Sequence, residues 1–378
     1  MFYASGGMHG MRRNLVYSHA IDGANRREEL PSMSDYRSIT ITDVAQAAGV
    51  SIRTVSRVLN NSPKVGAAAR EKIQATIEEL GFSPSSRARA LASGRSSLIG
   101  VVQDDPNAHV IGVFQRGIVD VCAAQGYELV VHPAKFGDPD LTRNIEDFAR
   151  RSRIDGLIVL PPISEASSIA LALTKRGVPA IGIASVRVPG YPGALVSEER
   201  IAAGVLAEHL IGLGHRRIAI VTGPLAFHSA NEREQGFRGA LEAHDMSLPN
   251  RYVREGDYGF ASGYAAAGAL LDQADPPTAI FACNDIMAAA AIKAAHERGL
   301  AVPRDLSIAG FDDSDIASMV SPALTTIRRP LLAMAHEATE RLIGMIADRS
   351  ITRLPDHRIA LSLIERQSTG PAPAPAPI

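Results

Sequence analysis

The stretch Ser51-Ile52-Arg53-Thr54-Val55-Ser56-Arg57-Val58-Leu59 sets two guanidiniums among hydroxyls and aliphatic side chains. Wound as a helix, it turns Val55, Val58 and Leu59 to one side and Ile52, Arg53, Ser56 and Arg57 to the other. Two forked donors, a hydroxyl and an apolar tip near a helix N-terminus suit the floor of a DNA major groove. There Arg takes guanine O6 and N7 together, and an aliphatic group meets a thymine methyl. The plainer reading of the same face is a helical hairpin with a solvated basic side. The elements that would present the face are also legible. Thr42 can cap a first helix whose apolar side is Val44, Ala45 and Ala48, and Gly49 supplies a turn tolerant of positive φ. Ser51 can cap the second helix, which ends at Asn60-Asn61. A third helix carries Ile73, Ile77 and Leu80 and stops at Gly81. Small Ala45 lets two helices approach, and Val50 fills the space between them.

A second set of chemically capable residues follows apolar runs further along: Asp104-Asp105, Asn284-Asp285 and Asp312-Asp313, with Arg233 opening an amphipathic stretch. Ligands of open α/β sheets bind at the C-terminal ends of strands. Carboxylate and amide acceptors with one forked donor suit a polyhydroxylated ligand. Asp285 and Asp313 also read as helix caps, so Asn284 and Asp312 are favoured as the ligand-facing members of their pairs. The apolar runs are Leu98–Val102, Tyr127–Val131, Gly156–Leu160, Val178–Ile183, Arg217–Val221, Thr278–Ala282 and Leu306–Gly310. Between them lie the amphipathic stretches Ile111–Ala124, Leu141–Arg151, Ala166–Arg176, Ile201–Gly212, Asn231–His244, Ala261–Leu271 and Ile286–Arg298. This alternation predicts βαβ units and parallel sheets. An eight-fold barrel is the rival, and the punctuation around Pro189–Pro192 favours two doubly wound lobes.

The 378 residues exceed one ordinary domain, and 46% hydrophobic with 21% charged at a mean hydropathy of +0.03 is a globular composition. No apolar run of about 18 residues suggests a membrane span. The two cysteines, Cys122 and Cys283, give no disulfide scaffold and read as buried apolar residues. The net charge of −1 conceals a basic segment. Residues 38–95 carry eight basic against four acidic side chains, a net +4. Residues 1–37 lack a signal-peptide core and read as a disordered extension, or as an over-long start with Met33 as the initiator, so a cytoplasmic protein is expected. The Pro/Ala repeat of 369–378 is expected to be extended and to pack on nothing. Enzymatic patterns are absent: no G-x-G-x-x-G follows a strand, no Walker loop occurs, and His336-Glu337 lacks a second zinc-binding His. Neither cofactor nor metal is expected.

The segment 43–60, continuing through Asn61-Ser62-Pro63 to Arg70-Glu71-Lys72-Ile73, resembles the helix-turn-helix of the lactose-repressor (LacI/GalR) family of bacterial transcription regulators. The likeness continues in Glu79-Leu80-Gly81-Phe82-Ser83-Pro84 and Ala88-Arg89-Ala90-Leu91. It returns in Leu213-Gly214-His215-Arg216-Arg217-Ile218-Ala219, Phe281-Ala282-Cys283-Asn284-Asp285, Ser307-Ile308-Ala309-Gly310-Phe311-Asp312-Asp313 and Pro322-Ala323-Leu324-Thr325-Thr326-Ile327. It spans about residues 38–368. The fold implied is an all-α helix-turn-helix head at 38–82, a linker at 83–95, and at 96–368 a two-lobed, doubly wound parallel α/β effector domain like a periplasmic binding protein. The DNA-contacting set implied is Thr42, Ser51, Ile52, Arg53, Thr54, Ser56, Arg57 and Asn60, with Arg87, Ala88 and Leu91 from the linker.

Ser83 and Pro84 could start a short linker helix, but one this short is marginal alone. By resemblance it is a hinge helix whose Leu91 wedges between base steps in the minor groove; a plain interdomain linker is the alternative. The effector set is Asp104, Asp105, Arg233, Phe281, Asn284 and Asp312. The chain departs from the family pattern at Asn107-Ala108-His109-Val110-Ile111, where many members have Asn-Pro-Phe-Phe. It also has Glu198-Glu199 for the usual Asp-Asn. With no Trp, sugar stacking would fall to Phe227, Phe260, Phe281 or a Tyr. The resemblance implies a ligand-responsive repressor of carbohydrate-utilisation genes, binding a palindromic double-stranded DNA operator as a homodimer. A tetramer is less favoured, since no heptad-like helix follows the body. Alternatives are a nucleobase or nucleoside effector and, in another class, a stand-alone sugar receptor.

Overall fold

A computed structural model describes residues 39–59, 62–82, 95–104 and 108–374. The expected 1–37 extension, Asn60, Arg87, Ala88, Leu91 and Asp105 lie outside the described residues. The chain divides into two compact units after residue 84.

The first unit holds α1 (Ile41–Ala48), α2 (Ile52–Leu59) and α3 (Ala67–Leu80). The cap of α1 is Thr40, not Thr42. Thr40 donates its N–H to Asp43 Oδ2 at 2.8 Å and accepts the Asp43 N–H, a reciprocal capping box that Thr42 has no acidic partner to make. Gly49 ends α1 at φ +65°, with its N–H turned back onto the last carbonyls. Ser51 Oγ then accepts the Thr54 N–H at 3.1 Å, as its expected capping role requires. Val44, Ala45, Ala48, Val55, Val58 and Ile73 are buried together, and Val50, Leu59, Ile77 and Leu80 close the edges. The apolar spacing read from the sequence is the spacing of this core.

The second unit contains two six-stranded sheets. Lobe 1 is built from β1 (Leu98–Gln103), β2 (Glu128–Pro133), β3 (Gly156–Val159), β4 (Ala180–Ala184) and β5 (Gly193–Ser197). Its first three helices are α4 (Ala108–Gln125), α5 (Leu141–Ser152) and α6 (Ser167–Lys175). The chain then crosses to lobe 2, with α7 (Glu199–Gly212), β6 (Ile218–Thr222), α8 (His228–Ala243), β7 (Val253–Glu255), α9 (Phe260–Leu271), β8 (Ala279–Ala282), α10 (Asp285–Glu297), β9 (Ser307–Asp312), α11 (Asp315–Met319) and β10 (Thr325–Arg328). It returns to lobe 1 for α12 (Leu331–Ala347) and β11 (His357–Ile359), and crosses again to β12 (Ser362–Ile364).

The lobe 1 order is β11-β5-β4-β3-β1-β2, all parallel. The lobe 2 order is β12-β10-β9-β8-β6-β7, antiparallel only at β12. Central strands such as Gly156–Val159 and Ala279–Ala282 are buried throughout, which is why they read as continuous apolar runs. Two sheets replace the rival barrel.

The structure corrects two sequence readings of boundaries. Pro189–Pro192 is not the lobe junction but a loop before β5 inside lobe 1; the crossing comes at Glu198, and two later segments recross. The segment after 368 is also not idle up to Ala372. Gly370 N–H donates to Ser307 Oγ at 3.0 Å and Ala372 N–H to Leu213 O at 2.9 Å, because buried His215 and Ser307 need partners there. Among the described residues no helix is long and apolar enough to cross a membrane.

Candidate functional sites in the head and the interlobe cleft

On α2 the buried Val55 and Val58 leave the opposite side outward. Ile52 is 47% exposed, Arg53 is exposed, and Ser56 and Arg57 are half-buried. The Thr54 hydroxyl is tied to Ser51 Oγ at 2.8 Å, so it helps close the turn. Thr42 lies exposed in the first turn of α1.

In the second unit, a cleft of about 460 Å³, its mouth included, lies between the lobes. It is lined by Val110, Pro161, Pro162, Ser185, Glu199, Phe227, Ser229, Arg233, Tyr258, Asp312 and Arg329. Arg233 projects from α8. Its Nε donates to Glu199 Oε2 at 2.7 Å, Nη1 donates to the Cys283 carbonyl, and Nη2 lies 3.9 Å from Asp312 Oδ1. The guanidinium carbon rests 3.9 Å from the centre of the Phe311 ring, a cation–π contact in a desolvated setting. Arg329, just past β10, donates from Nη1 to Asp312 Oδ1 at 3.1 Å and sets Nη2 3.6 Å from Glu199 Oε1. Ser197 Oγ completes Glu199 at 3.0 Å. Burial alone would raise the Glu199 carboxyl, but the Arg233 and Arg329 guanidiniums with the Arg233 and Ser197 hydrogen bonds hold it below the ordinary range. Two cations and two anions thus neutralise one another. Asp312 turns into this cluster at φ +113°, a strained backbone for a non-glycine residue at a strand end.

Aromatic rings frame the polar floor. Phe227 stacks near Tyr258 at 6.3 Å and meets Phe136 of lobe 1 edge-on at 5.4 Å. Tyr258 is buried, its hydroxyl 3.4 Å from Ser229 Oγ, and burial pushes its pKa up.

Of the expected effector residues, Arg233 and Asp312 come together in the cleft and three others do not line it. Phe281 is fully buried on β8 between Phe237 and Phe311, so it belongs to the lobe 2 core. Asn284 caps α10: its Oδ1 accepts the Met287 N–H at 2.8 Å, and Nδ2 donates to Tyr258 O at 2.9 Å. It therefore holds the Tyr258 backbone, and the cap is Asn284, not Asp285. Asp285 instead accepts from Ser314 and Thr326. Asp104 accepts the Phe136 N–H and fixes the loop that carries that ring. Asp313 pairs with Arg328 and Arg366, outside the cleft lining.

Sequence reading passed over Glu199, Arg329, Ser185 and Ser229, and left Tyr258 only as an unnamed tyrosine beside Phe227. Only Glu199 gave a signal, as a departure in the Glu198-Glu199 pair. Both cysteines are buried, and burial pushes the Cys122 thiol up to about 11 and Cys283 to about 12, so neither is a thiolate at neutral pH. No His, Cys, Asp and Glu group among the described residues could hold a metal ion.

The signature of bacterial regulatory proteins, lacI family, matches residues 40–85, and that of a periplasmic binding protein-like domain matches 207–369. The HTH-type transcriptional regulator DegA of Bacillus subtilis is 34% identical over 301 residues, covering 79% of this chain and 88% of DegA. A lac repressor dimer solved with operator and an anti-inducer is 30% identical with a TM-score of 0.77, over 88% of this chain and 100% of that one. A complex of the transcriptional regulator CelR with cellobiose is 28% identical with a TM-score of 0.66, over 87% and 99%.

Proposed function

Because the chain belongs to the lacI family of bacterial regulatory proteins and is a DNA-binding transcriptional regulator, not an enzyme, we propose that it represses carbohydrate-utilisation genes in the cytoplasm in response to a small sugar. It binds a palindromic operator as a homodimer, and the sugar sits in the cleft between the lobes. The observation that carries the effector reading is the self-neutralised Glu199–Arg233–Asp312–Arg329 cluster under the Phe227 and Tyr258 rings. Such a floor offers forked donors and carboxylate acceptors with no net charge, and the rings offer apolar faces to a sugar. The cellobiose bound to CelR supports a sugar, and the dimer on operator supports the DNA mode. A stand-alone receptor is disfavoured by the helix-turn-helix unit.

The face of Ile52, Arg53, Ser56 and Arg57 reads the major groove, with Thr42, Ser51, Thr54 and Asn60 supporting it. Arg87, Ala88 and Leu91 engage the minor groove. A ligand shifts the lobes only by its differential affinity for their arrangements, and a coupling of about 1–3 kcal/mol, some 5- to 150-fold in DNA affinity, is the typical scale. The test is a thermal-shift screen of sugars and nucleosides on the full chain, followed by operator titration with and without each hit. A stabilising sugar that changes operator affinity by at least 5-fold supports the reading. Stabilisation by nucleosides alone, or a sugar that leaves operator affinity unchanged, overturns it.

A further inference from the structure

The lobe 1 wall of the cleft ends in Ser185, the residue directly after β4. Both of its hydrogen-bond donors are committed to a single atom. The Ser185 backbone N–H donates to Glu165 Oε1 at 2.8 Å, and the Ser185 hydroxyl donates to the same oxygen. Glu165 belongs to the short turn Ile163–Glu165, which follows the cleft-lining Pro161-Pro162 and is tied to β4 by Ser164 Oγ donating to Ile183 O at 2.5 Å. Glu165 is only 7% exposed and Ser185 only 6%, so both bonds are largely shielded from bulk water.

We propose that Ser185, oriented by Glu165, is a specificity-determining residue of the cleft that accepts and cannot donate, so that the effector must present a hydroxyl or N–H to it. A serine hydroxyl has one proton and two acceptor lone pairs. With the proton spent on Glu165, only lone pairs remain for the cleft. A ligand carbonyl, carboxylate or phosphate oxygen seated there would face lone pair against lone pair, and a ligand hydroxyl would close a bond. The polarity does not depend on the charge of Glu165. Burial pushes that carboxyl up while the Ser185 bonds pull it down. In either state Oε1 is the oxygen with two donors, and a proton, when present, belongs on Oε2, which has no partner among the described residues. Glu165 acts through Ser185 and is a positioning residue. The assignment rests on the cleft being the effector site.

The test uses the full chain and calorimetry with D-glucose, D-galactose, D-ribose and D-xylose, then the monodeoxy and keto analogues of the tightest binder. In the wild type one deoxy position should cost roughly 5- to 150-fold in affinity, the effect of a buried polar group left unpaired. Ser185→Ala should erase that penalty. Glu165→Gln keeps a carbonyl acceptor and should preserve it. Glu165→Ala frees the Ser185 proton and should raise the affinity of the keto analogue relative to the hydroxyl parent, a reversal that loosened packing alone would not produce. Circular dichroism and melting confirm that each variant folds. If Ser185→Ala and Glu165→Ala keep wild-type selectivity while Asp312→Asn weakens every sugar, the inference falls and the cleft reading stands. If Asp312→Asn changes nothing, or the wild type binds none of the sugars, the cleft reading falls and this inference with it.

Discussion

Arg233 and Glu199 are 4% and 1% exposed at their side chains, and each is the other's main compensation for leaving water. Truncating one partner of a buried pair strands the other, at a cost of about 3–5 kcal/mol. Arg233→Ala is therefore expected to lower the unfolding free energy by that amount in urea denaturation at pH 7. The Arg233→Ala, Glu199→Ala double variant should lose clearly less than the sum of the two single losses. Strict additivity would mean the pair is not coupled. On the head, Arg57→Ala should weaken binding to the specific operator by about 1–3 kcal/mol and binding to random DNA much less. Equal losses in the two titrations would reduce Arg57 to a phosphate contact. Asp312 was legible because it ends an apolar strand run, and Arg233 through the family resemblance, although it lies in the second turn of α8 and not at its start. Arg329 was not, because it follows the four-residue Thr325–Arg328 strand, too short to separate from a loop. Phe281 and Asn284 were misread because the strand-end rule does not tell a cap or a core ring from a group turned to the cleft.

Helix packing delivers Arg233 to Glu199, and one glycine sets the distance. A Cβ on Gly236 of α8 would lie 1.9 Å from the Arg200 carbonyl oxygen of α7, backbone that cannot rotate away. Arg233 lies one turn before Gly236, and Glu199 is the neighbour of Arg200, so the same close approach brings the buried pair into contact. Gly236→Ala should separate the helices, cost about 1–3 kcal/mol or more as overpacking does, and weaken the ligand response as well as the fold. Thermal melting and operator titration with the effector would read both, and a wild-type melting temperature would refute the packing argument. At this scale the sequence was most legible where periods are long. Seven strand–helix alternations and the three head helices matched in type. The misses were short or atypical: Gly193–Ser197, Val253–Glu255, the strands after 324, and Leu331–Ala347, which returns to lobe 1. Three-residue strands such as His357–Ile359 carry too few residues to show alternation.

Across the whole effector unit, the path that ends in lobe 2 is clasped by one imidazole. His215 Nε2 lies 3.0 Å from the Gly370 carbonyl, which can only accept, so Nε2 carries the proton. Nδ1, 3.0 Å from Thr278 Oγ1, is then the acceptor. Burial lowers the His215 pKa below 6.5. The unfolded chain takes up that proton at a higher pH than the folded one, so the unfolded state binds more protons as pH falls below about 6.5. The contribution of His215 is therefore whole above pH 6.5 and is lost progressively toward its folded pKa. His209, also lowered by burial, acts in the same direction. Asp285, pushed up to about 7 by burial and by Asp312, opposes them by favouring the folded state at lower pH, so the net curve mixes signs. His215→Gln isolates the term, because an amide N–H can still meet the Gly370 carbonyl but does not titrate. The wild-type melting temperature should fall more steeply than that of His215→Gln between pH 7.5 and 5.5, the two curves converging toward the acid end. Parallel curves would show that the clasp holds the C-terminal segment without a titrating part.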